Sequence, residues 1–136
     1  MNIELEKKIS HLNDLINLSR VDGDESHIES SFIDSVAERL GLDKKDVQKI
    51  RSGEFDIKFS TPSQENDVID QYHRLILLMG IDKTIYHEEV QFCFELGIKM
   101  GLNANAIAEV FRKIIRRPEH ILQRDEFEKI FRKYSN

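Results

Sequence analysis

The 136-residue chain contains few of the residues that interrupt or cross-link a fold: one cysteine, two prolines and six glycines. A single cysteine excludes an intrachain disulfide and a zinc site built from several cysteines. Cys93 lies in the apolar run 90–94, so we expect a buried and unreactive thiol. The scarcity of proline and glycine, with 33% charged residues, favours a helical protein.

Long apolar segments are also missing. No apolar run approaches the length that spans a bilayer, and the first ten residues mix acids with lysines instead of forming the apolar segment of a signal peptide. We therefore predict a cytoplasmic protein that does not enter the membrane. The length fits one domain, residues 1–136, with a real core.

Charge is distributed unevenly along the chain. Residues 1–110 contain 12 Lys and Arg against 21 Asp and Glu, whereas residues 111–136 contain 8 against 4. The net charge of −5 therefore divides into an acidic body of −9 and a basic tail of +4. This pattern predicts a basic C-terminal helix attached to an acidic bundle.

The chain repeats itself when it is shifted by 60 residues. Matching pairs include Leu15 with Leu75, Phe32 with Phe92 and Gly41 with Gly101, without a gap. A repeat at fixed spacing indicates one supersecondary unit used twice. We expect two similar helical hairpins, at residues ~10–50 and ~70–110, related by a pseudo-two-fold axis.

Local signals divide the first repeat into three helices. Apolar spacing predicts a first helix to about Arg20, and Ser26 with Glu29 has the capping-box spacing that starts a second. Gly41 is expected to end the second helix in a left-handed conformation, and Asp43 to cap a short third one.

The remainder gives four more helices. Residues 54–61 alternate apolar and polar positions but have no partner strand, so we interpret them as an extended linker lying on the bundle. Helix four is predicted to begin at Pro62 and end near Met79. Residues 90–100 are apolar nearly all round, so helix five should be central. Helix six should end near Arg117 and a last helix should cover about 124–134. The predicted fold is an all-α single bundle of about seven helices.

Acidic residues recur with the repeat. Each unit places an aspartate in the turn after one helix and a glutamate seven residues later, in the first turn of the next: Asp22, Glu29, Asp82 and Glu89. Four converging carboxylates would select a hard cation such as Ca²⁺ or Mg²⁺. The alternative is purely structural, since aspartate favours turns and acids favour helix starts. An EF-hand is excluded, because His27 and Ile33 occupy the positions that need glycine and glutamate.

These residues resemble the tellurite-resistance TerB-like domain family. The resemblance rests on Leu-x-x-Leu-Ile, Asp-Gly and the doubled Asp…Glu spacing, and it covers residues 10–112. It implies a helical bundle with a metal site at the four repeated acids and a stress-related module that binds a protein partner or senses metal. Lys83 stands where the family has glycine and Tyr86 where it has a capping residue. A lysine beside Asp82 predicts weak cation binding.

Other chemistry is poorly supported. His27 and His87 occupy equivalent positions and suggest a transition-metal site, but their place in a first helical turn favours exposed side chains. The chain has no nucleophile motif, no glycine-rich phosphate loop and no His-Glu-x-x-His motif. We therefore predict that it is not an enzyme.

A nucleic-acid interface is the alternative function. The basic C-terminal helices contain Arg116, Arg117, Arg132 and Lys133, which could neutralise phosphates. The simpler interpretation is a solvated face that complements the acidic body. The nearby phenylalanines have core spacing, so we do not expect them to stack on bases.

Overall fold

Seven α-helices and no strand make up residues 2–135, which the computed structural model describes. This confirms the all-α prediction. The helices are α1 (Ile3–Ser19), α2 (His27–Leu40), α3 (Lys44–Ser52), α4 (Glu65–Met79), α5 (His87–Lys99), α6 (Ala104–Arg116) and α7 (Arg124–Lys133). Within these residues, none of the helices combines the length and the apolar character needed to cross a bilayer.

Helices α1 and α4 occupy the centre. Each contributes eight buried residues, whereas α5 contributes four. Helix α1 packs against α2, α3, α4 and α5, and α4 packs against α1, α5 and α7. The prediction that helix five is central is therefore wrong. Its apolar residues surround the helix without all being buried, since Phe92 and Phe94 are half-buried and Ile98 is exposed.

The helix ends follow local chemistry. At the start of α2, Ser26 Oγ accepts from Glu29 N at 3.2 Å, and Glu29 Oε1 accepts from Ser26 N at 2.9 Å. This reciprocal capping box confirms the prediction. Asp43 caps α3 by accepting from Asp46 N at 2.8 Å. Gly41 ends α2 with φ of 77°, the left-handed conformation that glycine adopts most easily.

The segment before α4 differs from its prediction. The helix begins at Glu65, after Gln64 as N-cap, and not at Pro62. The residues just before it are not helical, and Ser60 N donates to Ser10 Oγ at 2.9 Å, which ties this part of the chain to α1. The predicted extended linker is confirmed: Phe55, Ile57 and Phe59 lie half-buried against the core.

The helix starts keep the spacing of the sequence repeat. Helices α2 and α5 begin at positions 27 and 87, and α3 and α6 at 44 and 104. Both differences equal the 60-residue repeat. Superposition of the two hairpins about a pseudo-two-fold axis stays a prediction.

The last helix closes the core. Phe127 and Phe131 of α7 are buried, and their rings lie 6.0 and 6.3 Å from that of Tyr72 in α4. Phe111 of α6 is also buried. These phenylalanines are therefore core residues, as their spacing predicts. Cys93 is fully buried too, and burial raises the pKa of its thiol, which leaves it unreactive.

Candidate cation site at the starts of α2 and α5

The four repeated acids divide into two exposed and two buried residues. Asp22 and Asp82 lie exposed in the loops that follow α1 and α4. Glu29 and Glu89 occupy the third position of α2 and α5, where their side chains are only 7% and 3% exposed. Buried carboxylates are rare unless they are paired.

One oxygen of each buried glutamate caps its own helix. Glu29 Oε1 accepts from Ser26 N, and Glu89 Oε1 accepts from Tyr86 N at 3.1 Å. The second repeat lacks the reciprocal bond, since the Tyr86 side chain does not cap α5. Capping thus accounts for one oxygen of each carboxylate. Within residues 2–135, no hydrogen bond reaches the other oxygen of Glu89.

Glu89 carries the clearest electrostatic signal. Burial raises the pKa of its carboxyl from 4.5 to about 7, against the opposing hydrogen bond from Tyr86 N. The charges of Asp22, Asp82 and Glu29 raise that pKa further. The fold therefore brings Asp22, Asp82 and Glu29 within electrostatic range of Glu89, although Asp22 and Glu29 belong to the other repeat.

The carboxylates are nevertheless not gathered as ligands. Over residues 2–135, no group of three or more His, Cys, Asp or Glu side chains is close enough to hold a metal ion. Asp82 Oδ1 instead accepts from Thr84 N at 3.1 Å, within its own loop. The oxygen donors suit a hard cation, but their positions do not form a finished coordination shell. Binding would require these carboxylates to come closer together.

Lys83 has an unusual backbone beside Asp82. Its φ is 65°, which makes it the one positive-φ residue other than glycine within residues 2–135. Gly23, at the equivalent position of the first repeat, has φ of 143°. The departure from glycine that the sequence shows is thus accompanied by backbone strain.

Arg51 is a residue that sequence reasoning missed. It binds Glu25 at 2.9 Å and Asp34 at 2.7 Å, which fixes the loop after α1 against α3. Arg20 Nε lies 3.9 Å from the same glutamate. Glu25 is therefore neutralised by arginines and does not add free charge to the four acids. Glu25 lies 26 residues before Arg51 in the chain, so no local sequence pattern could reveal this ion pair.

The positions of the histidines and basic residues agree with a structural role: the histidines are exposed, and most of the basic residues pair with acids of the chain. His27 and His87 are exposed, as their helix position predicts. Three of the four basic residues proposed for nucleic acid form ion pairs: Arg117 with Glu119 at 3.5 Å, Arg132 with Glu128 at 2.8 Å, and Lys133 with Glu109 at 2.6 Å. Among the described residues, Arg116 alone of the four has no ion-pair partner.

Comparison with protein-family models, curated proteins and solved structures finds no match. The resemblance to TerB-like domains stays a prediction from the residues themselves.

Proposed function

We propose that the chain is a non-enzymatic, cytoplasmic TerB-like module that binds a divalent cation weakly through Asp22, Glu29, Asp82 and Glu89. The cation would adjust its binding to a protein partner in a stress response. The observation that carries the proposal is Glu89, a buried acid whose pKa is raised by burial and by the charges of the other three acids. That arrangement concentrates negative charge where two loops meet two helix starts.

A divalent cation would relieve this repulsion. Ca²⁺ and Mg²⁺ prefer oxygen ligands, and the four carboxylates supply them. The cation would compete with the proton that Glu89 holds near neutral pH. Binding should be weak, because capping occupies one oxygen of each glutamate and Lys83 adds positive charge next to Asp82. Weak binding suits a sensor that responds to changing cation concentration.

Thermal unfolding in calcium or magnesium chloride tests the proposal. A ligand that binds only the folded state raises its stability by mass action, so millimolar cation should raise Tm. The double variant D22N/D82N should lose this rise and should be slightly more stable without cation, because two repelling charges are gone. Sodium chloride at matched ionic strength controls for screening.

A matched variant separates the site from general charge. E54Q/D56N also removes two exposed acids, but from the linker before α4. It should keep the full response to cation. If divalent cations raise Tm no more than sodium chloride does, or if both double variants respond alike, the four acids serve only as caps and turn residues.

A further inference from the structure

A second feature lies next to the acids. An apolar groove of about 250 Å³ is enclosed by α2, by α4 with the loop that follows it, by the end of α6, and by the segment 117–123 that joins α6 to α7. Its walls consist mainly of aliphatic and aromatic side chains, among them Phe32, Ile76, Ile81, Ile114, Ile121 and Leu122. None of these residues is used by the candidate cation site.

The groove is already formed in the folded chain. Leu122 is buried, and its carbonyl accepts from His73 Nε2 of α4 at 2.8 Å, which holds segment 117–123 against the bundle. Ile121, one residue earlier, is 64% exposed at the mouth of the groove. A fixed apolar concavity with an exposed isoleucine at its edge is typical of a surface that binds a partner.

The charges around the groove favour an acidic partner. Glu119 pairs with Arg117 at 3.5 Å, and His120 lies 3.3 Å from Glu126, so both have partners within the chain. Lys83 also lines the groove, and no ion pair involves it within residues 2–135. Among the charged side chains of residues 2–135 that line the groove, Lys83 is therefore the one without an ion-pair partner.

The backbone of Lys83 supports the same conclusion. A lysine in a conformation with φ of 65° has a higher free energy than a glycine in the same conformation. Strained residues of this kind cluster at functional sites. The side chain of this lysine lies at the edge of an apolar groove. A carboxylate on the partner would give that side chain a role.

We propose that this groove binds a protein segment in which aliphatic or aromatic anchors stand next to an aspartate or glutamate. The anchors would fill the groove and contact Ile121, and the acid would pair with Lys83. This inference names the partner surface of the function proposed above and rests on that function, although the groove itself needs no cation.

The shape argues for a peptide over other occupants. The volume lies below about 300 Å³, the lower end for small-molecule sites. A flat membrane surface could not fill a concavity, whereas an amphipathic helix or extended peptide inserts its anchors into one. The experiment must therefore distinguish binding to a peptide from binding to lipid vesicles.

Selection from a displayed library of random dodecapeptides on the full chain tests the proposal. Enriched sequences should combine Leu, Ile or Phe with Asp or Glu. The best peptide, synthesised with a fluorophore, is then titrated by anisotropy. I121S should weaken its binding about tenfold, as loss of an interface anchor typically does. K83Q should weaken it about threefold or more and flatten its salt dependence, because an ion pair is removed.

Matched variants keep these effects specific. Ile3 is 66% exposed, a fraction similar to the 64% of Ile121, but it lies at the start of α1 and does not line the groove. Lys45 is an exposed lysine of α3 outside the groove. I3S and K45Q should bind the peptide as the unmodified chain does, and all four variants should melt cooperatively.

Several results would overturn the proposal: no enrichment, enriched peptides without acids, or unchanged binding by I121S and K83Q. Binding to vesicles of phosphatidylcholine and phosphatidylserine, lost in I121S and without any selected peptide, would assign the surface to lipid instead. If the selection fails but divalent cations still raise Tm, the proposal for the groove is wrong and the proposal for the cation site stands.

Discussion

Tyr72 occupies the space that a side chain at Gly97 would need. A Cβ atom added at Gly97 would lie 2.9 Å from both Cζ and Oη of Tyr72, and 2.7 Å from Cδ1 of Ile107. The Tyr72 hydroxyl donates to Cys93 O at 2.6 Å, one helical turn before Gly97. The missing side chain thus lets α5 approach α4 and α6 closely.

Gly97→Ala should therefore destabilise the protein. Alanine in a helix interior normally stabilises by up to about 1 kcal/mol relative to glycine. Here the contact with buried Tyr72 and Ile107 should outweigh that gain and cost about 1–3 kcal/mol, as overpacking does. Urea unfolding at constant m-value measures the change. A variant as stable as the parent would show that the helices separate without cost.

The repeat provides a control for this packing. The residues 60 positions earlier are Leu12, Ala37 and Val47, all buried, so the first unit has alanine at the position of Gly97 and smaller residues at the positions of Tyr72 and Ile107. In a chain already carrying Y72L and I107V, Gly97→Ala should cost less than in the parent. An equal cost in both backgrounds would contradict direct coupling between these side chains.

This pair shows where sequence reasoning succeeds and where it ends. The capping box at Ser26 and the stop at Gly41 were predictable, because each depends on residues within four positions. Gly97 could not be interpreted from its neighbours, since its role depends on Tyr72, which lies 25 residues earlier in the chain. The central position of α1 and α4 was missed for the same reason: burial is decided by tertiary packing.

Some features of the candidate site could likewise be predicted from the sequence, whereas others depend on the fold. Repetition identified the four acids, and the spacing of Ser26 and Glu29 predicted the capping bond of Glu29, whereas the bond from Tyr86 N to Glu89 was found only in the structure. The raised pKa of Glu89 required the fold, because it comes from burial and from charges on other elements. The groove beside Lys83 has no local sequence signal, since its walls come from four separate parts of the chain.

Lys83→Gly should stabilise the protein. Glycine adopts φ of 65° without steric cost, whereas lysine does not. Part of this gain is lost to the greater freedom of glycine in the unfolded chain, which leaves about 0.5–1 kcal/mol. Thermal unfolding should show a Tm higher by about 2–4 °C. Lys83→Ala removes the same charge but keeps the strain, so an equal rise in that variant would assign the effect to charge.

Glu89 should make stability depend on pH. Its folded-state pKa is about 7, above the ordinary 4.5, so the folded state holds the proton more tightly. Its stabilising contribution is fully present below about pH 4.5 and is lost as the pH rises through 7. Glu89→Gln keeps an acceptor for Tyr86 N but cannot ionise. It should exceed the parent in stability at pH 8, with a smaller or reversed difference at pH 5.

Asp14 titrates in the same pH range as Glu89. Burial raises the pKa of its carboxyl to about 7 as well, against the opposing charge of Lys99. Asp14 is present in both proteins, so the difference between parent and Glu89→Gln cancels its titration. Glu88→Gln, an exposed residue of the same turn, controls for the lost formal charge. A pH-independent difference between parent and Glu89→Gln would contradict the assignment.

The basic C-terminal helices should bind nucleic acid only weakly. Arg117, Arg132 and Lys133 already pair with acids, which competes with phosphate contacts. Anisotropy of labelled DNA and RNA over a range of salt concentrations measures this directly. Tight binding that falls steeply with salt, and that disappears when Arg116, Arg117, Arg132 and Lys133 become glutamine, would favour the nucleic-acid function instead.

The cation and the peptide should strengthen each other's binding, because the two proposed sites share one loop. Asp82 belongs to the candidate cation site, and its neighbours Ile81 and Lys83 both line the groove. A cation bound to Asp82 would neutralise the charge that opposes an acidic peptide at Lys83, and would order the loop. Linkage then requires that the peptide increase cation affinity by the same factor, about fivefold or more for a typical coupling.

Peptide titrations in calcium chloride and in sodium chloride of equal ionic strength measure this coupling. Asp82→Asn should bind the peptide more tightly than the parent without cation, since the opposing charge is gone, and calcium should no longer change its affinity. Asp56→Asn, outside both sites, should respond to calcium as the parent does. If calcium raises Tm but leaves peptide affinity unchanged in the parent, the loop does not transmit cation binding to the groove, and the two sites act independently.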